Sequence, residues 1–468
     1  MSKVIAGMDW QELYSFASKQ ALLGLCFEGI ERLGKEYPEE LKQNPIGREL
    51  LMTWMGKAQQ IRRQNMKVNA VASKLFSMLR EDGMRCCVLK GQGNALMYPN
   101  PYSRTPGDID VWIDASRERI MEYAQKKFEL GDDIRLQHLE TSLDGVPVEL
   151  HFFPCSMNNP IYHVRLQKWF RRNADLQCSH IVGLPDGAGD IAIPTSSFNV
   201  VYQLTHLYHH FFDEGIGMRQ IIDYFLVVND FSKNVFLDHD FSNHPVNFSN
   251  HPVPLSKEGS TFSPSPSSMV FTPPSVPPFP GGRNLRSGDV TAPSRCSEPL
   301  RSKDGGPSKV SPDCEGWDRR GVSGDTGSVS CSSASGSSIT SVSSASTTDS
   351  SASTALDVVQ RELKYLGLWK FAGAVMYVLK EVLGLAEDKM IVPMDEKRGR
   401  LLLAEILDGG NFGRHFTKYA GFTHQSMGKK YFLKIWRNMH FVRYYPAEAL
   451  CEPLFRTWHF FWRLKYKK

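Results

Sequence analysis

The sequence predicts an α+β protein in which a small mixed β-sheet domain with flanking helices is followed by a largely helical C-terminal region. Three observations predict this class. Apolar residues recur at helical spacing up to about residue 82, short runs with strand-like alternation lie between 84 and 153, and helical spacing returns almost alone from about 195. Strands mixed with helices in one stretch and helices alone in the next favour the α+β class.

The chain of 468 residues is long enough for several domains. We expect an N-terminal helical region over 1–82, a small α+β domain over 83–195, and a helical domain formed by 196–230 and 355–468. The intervening residues 231–354 are rich in Ser, Pro, Gly and Asn and poor in aliphatic side chains. This composition predicts a disordered insert, more typical of a linker than of a regulated or partner-binding segment.

The overall composition excludes several classes of protein. The formal net charge is only +5, which is too small to indicate nucleic acid as a partner. No apolar run is long enough for a membrane span, and the first ten residues lack the apolar core of a secretory signal. The nine cysteines contain no Cys-x-x-Cys pair. We therefore expect a cytoplasmic protein without a disulfide framework.

The elements of the N-terminal part follow in order. Helical spacing predicts helices over 10–33 and 45–81, the second ending at Asp82-Gly83. Residues 84–90 predict a short strand, and 91–97 predict a turn into a short helix.

The domain over 83–195 continues with a strand over 108–113, where polar and apolar residues alternate. Ser116 is a good N-cap for a helix that runs to about residue 129. Residues 135–143 and 146–153 are strand-like and flank Asp144-Gly145, which predicts a β-hairpin. Residues 198–230 and 355–385 predict helices.

Three carboxylates carry the functional argument. Asp108 and Asp110 are two residues apart, so both lie on one face of their strand, and Glu149 shares a face with His151 in the second hairpin arm. If that arm pairs with the aspartate strand, the three acids converge. Carboxylates that share a sheet face repel one another, and a divalent cation relieves the repulsion; hard oxygen ligands suit Mg²⁺ or Mn²⁺.

Carboxylates that hold a pair of metal ions are suited to phosphoryl or nucleotidyl transfer. Lys90, Gly91 and Gly93 follow a strand and open a short helix, so we expect their backbone amides to contact the phosphates of a nucleoside triphosphate. Arg104 is a further predicted phosphate contact. Each motif alone is common at strand ends and turns, and the combination in this order favours the functional interpretation.

These motifs resemble a known family. The residues concerned are Leu89-Lys90-Gly91, Tyr98-Pro99, Arg104, the segment 107–110, the segment 148–151, the segment 206–219 with Asp223, and the segment 367–373. Together they are similar to the uncharacterised bacterial nucleotidyltransferase family within the polymerase-beta-like nucleotidyltransferase superfamily. The resemblance covers most of 10–230 and 355–460.

The resemblance implies that 83–195 is a nucleotidyltransferase domain in which Asp108 and Asp110 match the two metal-binding aspartates and Glu149 takes the third acidic position. One departure concerns the phosphate turn. The superfamily usually has Gly-Ser or Gly-Gly there, closer to the aspartates, whereas this chain has Gly91-Gln92 and a long loop before Asp108.

The helical half contains weaker candidates. His206, His209 and His210 have a spacing that suits a metal, although histidines that bond to neighbours are the commoner case. Arg219 and Asp223 are either a surface i, i+4 pair or, as the resemblance suggests, placed near the nucleotide. The aromatic and basic stretch 431–468 favours packing onto the helical core over binding of single-stranded nucleic acid or a membrane surface.

The sequence thus predicts an enzyme, a Mg²⁺-dependent nucleotidyltransferase that moves a nucleoside monophosphate from an NTP to a hydroxyl acceptor. Asp108, Asp110 and Glu149 are its predicted metal ligands and catalytic residues. Lys90, Gly91, Gly93, Arg104 and Arg219 are its predicted nucleotide contacts. The acceptor, whether small molecule, protein or nucleic acid, is open. A non-catalytic scaffold is the main alternative, and a metal-dependent nucleotide-sugar glycosyltransferase is the other.

Overall fold

The computed structural model describes residues 2–130, 135–237, 348–413 and 427–466. Within these ranges the predicted α+β class is confirmed: a small mixed sheet is surrounded by many helices. The helices are α1 (Ser2–Ala6), α2 (Trp10–Lys19), α3 (Leu23–Glu36), α4 (Pro38–Gln43), α5 (Arg48–Glu81), α6 (Gly91–Ala95), α7 (Arg117–Lys127), α8 (Pro160–Ser179), α9 (Ser196–Asp213), α10 (Met218–Leu237), α11 (Thr348–Tyr365), α12 (Trp369–Leu383), α13 (Glu396–Gly409), α14 (Met427–Met439), α15 (Pro446–Ala449) and α16 (Glu452–Tyr466). The strands are β1 (Cys86–Leu89), β2 (Ile109–Ile113), β3 (His138–Leu143), β4 (Val146–His151), β5 (Ile181–Gly183) and β6 (Asp190–Ala192).

The main sheet has the strand order β1-β2-β4-β3. β1 runs antiparallel to β2, β2 runs parallel to β4, and β4 runs antiparallel to β3. The parallel pair is joined through α7 and β3, as a parallel pair requires a long connection. β5 and β6, which the sequence interpretation missed, form a separate two-stranded hairpin.

The β3–β4 hairpin turns at Asp144 and Gly145, where the sequence predicts it. Both residues have positive φ, 50° and 72°, which is the backbone of a type I′ turn. Helix α7 begins directly after Ser116, whose hydroxyl accepts a hydrogen bond from the backbone amide of Arg119.

The two faces of the main sheet pack against different helices. On one face, apolar residues of β2 and β4 such as Val111 and Leu150 form a core with α5 and α7. On the other face, Trp112 of β2 stacks on Phe198 of α9 with ring centroids 6.3 Å apart, and Phe198 stacks on Trp169 of α8. Asp110 is two residues before Trp112 in β2, so its side chain lies on the same, second face. The predicted acids therefore face the helical half.

Three segments predicted to be helical each contain two helices. Residues 10–33 divide into α2 and α3, 198–230 lie in α9 and α10, and 355–385 lie in α11 and α12. The first break occurs at Ala21, whose φ is +57°. Next to it, the buried Gln20 side chain donates to the carbonyl of Ile406 and accepts from the amide of Met218. These contacts join distant segments, so helical periodicity alone does not reveal them.

Helix α10 extends to Leu237 and α11 begins at Thr348, so both reach into the predicted insert 231–354. The rest of that insert, 238–347, lies outside the described residues, and its disorder stays a prediction. The two helices that flank it pack against each other. Among the described residues, no helix is both long and apolar enough to cross a membrane.

The C-terminal aromatic stretch divides into two parts. Phe441 and Tyr445 are buried against Phe211 and Phe212 of α9, as core packing predicts. Several large apolar side chains of α14 and α16 are instead exposed, namely Trp436, Leu454, Trp458, Phe460 and Phe461.

Candidate active site

The predicted acids lie on the central strand pair of the sheet. Asp110 in β2 is the register partner of Glu149 in β4. Asp108 precedes β2 and is exposed, whereas Asp110 is buried, and both line one cavity between the sheet and the helical half. We call this the first cavity; it is also lined by Lys90, Arg104, Arg219 and Asp223.

Lys90 and His151 supply positive charge to this acidic group. Lys90 Nζ lies 2.9 Å from Oδ1 of Asp110, and His151 Nε2 lies 3.0 Å from the same oxygen and 3.1 Å from Oε2 of Glu149. Burial lowers the pKa of His151, but Asp110 and Glu149 raise it more, to about 9, so the imidazole is protonated at neutral pH. A protonated histidine thus bridges the two carboxylates.

The pKa values of the two aspartates move in opposite directions. Asp110 raises the pKa of Asp108 to about 6, with a further contribution from Glu149. Burial opposes ionisation of Asp110, yet Lys90 and His151 hold its pKa well below the usual range. Asp108 is therefore the carboxylate whose charge the protein compensates least.

Lys90 is fixed by its backbone and by a histidine. Its φ is +52°, a conformation that is rare for a residue with a side chain, and it comes directly between β1 and α6. Burial lowers the Lys90 pKa, but Asp110, Asp108 and Glu149 raise it above its ordinary value overall. Its Nζ also lies 2.8 Å from Nε2 of His206, whose pKa burial and the nearby Lys90 hold well below normal. His206 is therefore neutral and accepts a hydrogen bond from Lys90.

Of the three clustered histidines of α9, none joins a metal-binding group among the described residues. His206 orients Lys90, His210 Nε2 lies 3.0 Å from Nε2 of His206, and His209 lines a different cavity. The group that does have metal-ligand spacing within the described part of the chain is His138, Glu149 and His151, whose ligand atoms lie within 4.8 Å of one another.

His138 is a site residue that the sequence interpretation missed. Its Nδ1 lies 3.3 Å from Oε2 of Glu149, outside hydrogen-bond geometry, and neither ring nitrogen has a hydrogen-bond partner among the described residues. Burial, with His151 nearby, lowers its pKa to about 3, so it is neutral. A signal was present: a two-residue turn at 144–145 pairs position 138 with position 151, as observed.

Arg104 and Asp223 form a buried ion pair at the far side of the first cavity. Nε and Nη2 of Arg104 each donate to a different oxygen of Asp223 at 2.8 Å, and the Tyr98 hydroxyl donates to Asp223 at the same distance. Asn65 of α5 fixes this loop by donating to the carbonyl of Arg104. Two of the Arg104 nitrogens are therefore occupied within the protein.

Three buried donor atoms around this ion pair have no hydrogen-bond partner among the described residues: Arg104 Nη1, Arg219 Nε and Gln220 Nε2. All three side chains line the first cavity. Arg219 also donates from Nη1 to the carbonyl of Thr105, so it is buried and does not form the surface pair with Asp223 considered above. Burial and Arg104 lower the Arg219 pKa to about 10, which leaves it charged at neutral pH.

The two glycines of the predicted phosphate turn have different surroundings. Gly91 has φ +42° and lines the first cavity. Gly93 is buried, and a Cβ there would lie 3.0 Å from Cγ2 of Ile193, so its small size serves packing. Helix α6 has only five residues. Because α6 is so short, any phosphate contact at this turn comes from individual backbone amides and not from the N-terminus of a long helix.

Clustered carboxylates on a sheet, beside a cavity whose guanidinium donors have no partner among the described residues, suit a nucleotidyltransferase-like protein. Residues 6–242, more than half of the 468, match the model of a family described as uncharacterised nucleotidyltransferase. The chain belongs to this family. Its bacterial origin and its place in the polymerase-beta-like superfamily stay predictions.

One solved structure with some similarity is an antigenic nucleotidyltransferase-like protein from Paracoccidioides brasiliensis. The likeness covers 34% of this chain and 75% of that chain, with 16% sequence identity and a TM-score of 0.25, which is too low to support a structural argument. No curated protein matches the chain.

Proposed function

We propose that this chain is a Mg²⁺-dependent nucleotidyltransferase that transfers a nucleoside monophosphate from an NTP to a hydroxyl acceptor. The observation that carries the proposal is the composition of the first cavity. Carboxylates of Asp108 and Asp110 line it together with buried donors of Arg104, Arg219 and Gln220 that have no partner in the described part of the chain. A triphosphate needs both kinds of group, because its anionic oxygens bind cations and hydrogen-bond donors.

The donor set of the acids fits a hard divalent cation. Asp108 has a pKa of about 6 because Asp110 repels its negative charge, and a bound cation would relieve this repulsion. Asp108, Asp110 and Glu149 would hold Mg²⁺ or Mn²⁺. When bound, the ion would neutralise charge on the triphosphate and favour deprotonation of the acceptor hydroxyl.

The remaining steps belong to residues of the chain. Arg104 Nη1, Arg219 Nε and Gln220 Nε2 donate hydrogen bonds to phosphate oxygens, and Gly91 permits close approach to the same cavity. Lys90 holds Asp110 ionised and in place. The acceptor oxygen forms a bond to the α-phosphorus while the bond from that phosphorus to the bridging oxygen breaks. The electron pair leaves with pyrophosphate, and Glu149 takes the hydroxyl proton.

The test measures transfer of label to small-molecule, protein and nucleic-acid acceptors from each of the four NTPs in turn. Nucleotidyl transfer labels the acceptor from α-labelled NTP and not from γ-labelled NTP. We expect Asp108→Asn with Asp110→Asn to abolish transfer. Because Asp110 pairs with Lys90 and His151, the variant should melt at a lower temperature than the wild type but still unfold cooperatively. The matched control is Asp357→Asn with Asp388→Asn, which removes two exposed carboxylates away from the cavity.

Three results would contradict the proposal. Transfer retained in the Asp108/Asp110 variant excludes the mechanism. Label that arrives from the γ position indicates kinase chemistry. Absence of NTP binding in calorimetry, with and without Mg²⁺, supports the scaffold alternative.

A strict preference for a metal that imidazole binds well, such as Zn²⁺, would instead assign the metal to His138, Glu149 and His151.

A further inference from the structure

A second cavity lies next to the acidic group and has no role in the mechanism above. Its volume is about 310 Å³. The elements that line it are the start of β3 with the segment before it, the loop between β4 and α8, the C-terminal end of α9, and the helices α14 and α16. The titratable side chains that line it include Arg135, His138, Asp213, Lys434, Arg456 and Arg463.

The second cavity reaches the acidic group from the side opposite to the first. The first cavity is lined by Asp110 of β2, the second is lined by His138 of β3, and β4 with Glu149 lies between these two strands. His138 Nδ1 is 3.3 Å from the Glu149 carboxylate, so the wall of the second cavity is one side chain away from the predicted general base. A transferase needs such an arrangement, with donor and acceptor on either side of the reacting group.

Among the described residues, cationic side chains outnumber carboxylates in the lining of the second cavity. Arg135, Lys434, Arg456 and Arg463 line it, against two carboxylates, Asp213 and Glu214. Lys434 and Arg456 lie 3.2 and 3.0 Å from the same oxygen of Asp213, so one carboxylate is shared between two cations. Burial raises the Asp213 pKa, yet these two cations hold it well below the usual range. Asp213 thus serves to order Lys434 and Arg456.

Two of the lining cations also form ion pairs with carboxylates outside the cavity, and these ion pairs hold the cations in place. Arg456 forms an ion pair with Glu452, and Arg135 lies 2.7 Å from Glu140. Glu140 and Glu452 themselves do not line the cavity. The described side chains that line the cavity therefore include more cations than carboxylates, which favours an anionic ligand.

We propose that the second cavity is the acceptor site and that the acceptor is a small molecule with a phosphate or carboxylate group beside the hydroxyl that it offers. This inference rests on the proposed function. The anionic group binds near Lys434, Arg456 and Arg463, and the hydroxyl points past His138 toward Glu149. The chemistry is the one written above, with the acceptor oxygen bonding to the α-phosphorus, pyrophosphate leaving, and Glu149 taking the proton.

The test offers the full chain pairs of acceptors that differ in an anionic group: glycerol 3-phosphate and glycerol, glucose 6-phosphate and glucose, gluconate and sorbitol. We expect label from α-labelled NTP on an acidic member and not on its neutral counterpart. Lys434→Gln with Arg463→Gln should raise the KM for that acceptor about tenfold, since charge-assisted hydrogen bonds are lost, with an unchanged KM for NTP.

Two controls make the result specific. Lys434→Arg keeps the charge and should retain the wild-type KM for the acceptor. Lys42→Gln with Arg400→Gln removes two exposed cations that also form ion pairs, and it should change neither KM. Melting temperatures of all variants show whether any change comes from unfolding.

The inference is overturned if neutral acceptors are labelled as well as acidic ones, or if the Lys434/Arg463 variant behaves like its control. It is also overturned if the chain binds NTP but neither labels an acidic compound nor binds one in calorimetry. If NTP does not bind at all, the proposed function fails, and calorimetric binding of the acidic compounds with its dependence on Lys434 and Arg463 then decides the inference alone.

Discussion

Arg104 combines an ion pair with Asp223 and a predicted contact to phosphate. The sequence predicts a phosphate contact, whereas the structure gives two of its nitrogens to Asp223 and leaves Nη1 without a partner among the described residues. A buried guanidinium of this kind is fixed by the ion pair and can offer its remaining nitrogen to an anion.

Substitutions of Arg104 and Asp223 separate the contribution of their ion pair from the predicted phosphate contact. Arg104→Met leaves Asp223 buried without its cation and should reduce the free energy of unfolding by about 3–5 kcal/mol. Adding Asp223→Leu removes the uncompensated charge, so the double variant should lose less than the sum of the single variants. Urea denaturation measures the stability, and calorimetry measures NTP binding.

The double variant also tests the phosphate contact. If Arg104 binds phosphate, the variant with both substitutions stays weak in NTP binding although its stability is partly restored. NTP affinity equal to that of the wild type would show that Arg104 is a structural residue only.

Glu448 of α15 gives a prediction on pH. It is buried and accepts hydrogen bonds from the backbone amides of Asn158 and Asn159, which join α15 to the loop before α8. Burial raises its pKa to about 7, more than these hydrogen bonds lower it. The native state therefore binds this proton more tightly than the unfolded state does, and the free energy of unfolding falls as the pH rises from about 4.5 to about 7.

Glu448→Gln should remove this contribution, which we expect to be about 1–3 kcal/mol across the interval. Urea denaturation at several pH values measures it, and Glu122→Gln, at an exposed position of α7, is the control that should keep the wild-type slope. The interpretation is wrong if the Glu448 variant has the same pH dependence as the control.

At the scale of elements, the β3–β4 hairpin positions most of the site. Its turn sets the register that places Glu149 beside Asp110 and His138 beside His151. A slip of one residue would move Glu149 and His151 to the opposite, apolar face. The sequence was sufficient to predict the turn because Asp-Gly is a strong and local signal, and the same turn fixes which residues of the two arms pair.

The hairpin leads to a prediction on its turn. Gly145 has φ +72°, so Gly145→Val should reduce the free energy of unfolding by about 1–2 kcal/mol because a branched side chain resists this conformation. Asp144→Asn should be nearly neutral, since Asn tolerates positive φ at the first turn position. Thermal unfolding of both variants checks this. Equal losses for the two variants would argue against the type I′ turn.

Other elements could not be predicted from local patterns. The breaks between α2 and α3 and between α9 and α10 depend on Gln20 and on Gly217, where a Cβ would lie 2.7 Å from Cα of Asn411. This close approach fixes the start of α10 and hence Arg219, which also lies under the ring of Phe412 at 5.6 Å. Contacts between residues some 200 positions apart leave no periodic signal in the sequence.

At the scale of the whole molecule, helices from both sides of the predicted insert belong to one body. α10 and α11 pack against each other and α9 packs against α11, although more than a hundred residues separate α10 from α11. Closure of a long loop costs little more free energy than closure of a shorter one, so such packing tolerates a long connection.

The insert gives the final prediction. Replacing residues 246–341 by a short Gly/Ser linker should leave the melting temperature within a few degrees of the wild type, because the described helices keep their contacts. NTP-dependent transfer should also persist. A matched replacement at 396–409, which removes helix α13 from the core, should abolish cooperative unfolding. A large loss of stability without 246–341 would mean that the segment contributes to the folded body.

Local sequence patterns were sufficient to predict the α+β class and the hairpin turn, because each depends on periodicity or on neighbours within a few positions. The acidic residues of the site were inferred from the same kind of pattern, and their role stays a prediction. Only the tertiary structure decided that Lys90 and His151 neutralise the acids, that Asp223 occupies Arg104, and that His138 joins Glu149. These relations depend on burial and on the distances between strands and helices that are far apart in the chain. Charges strengthen or cancel one another according to those distances, which no local pattern records.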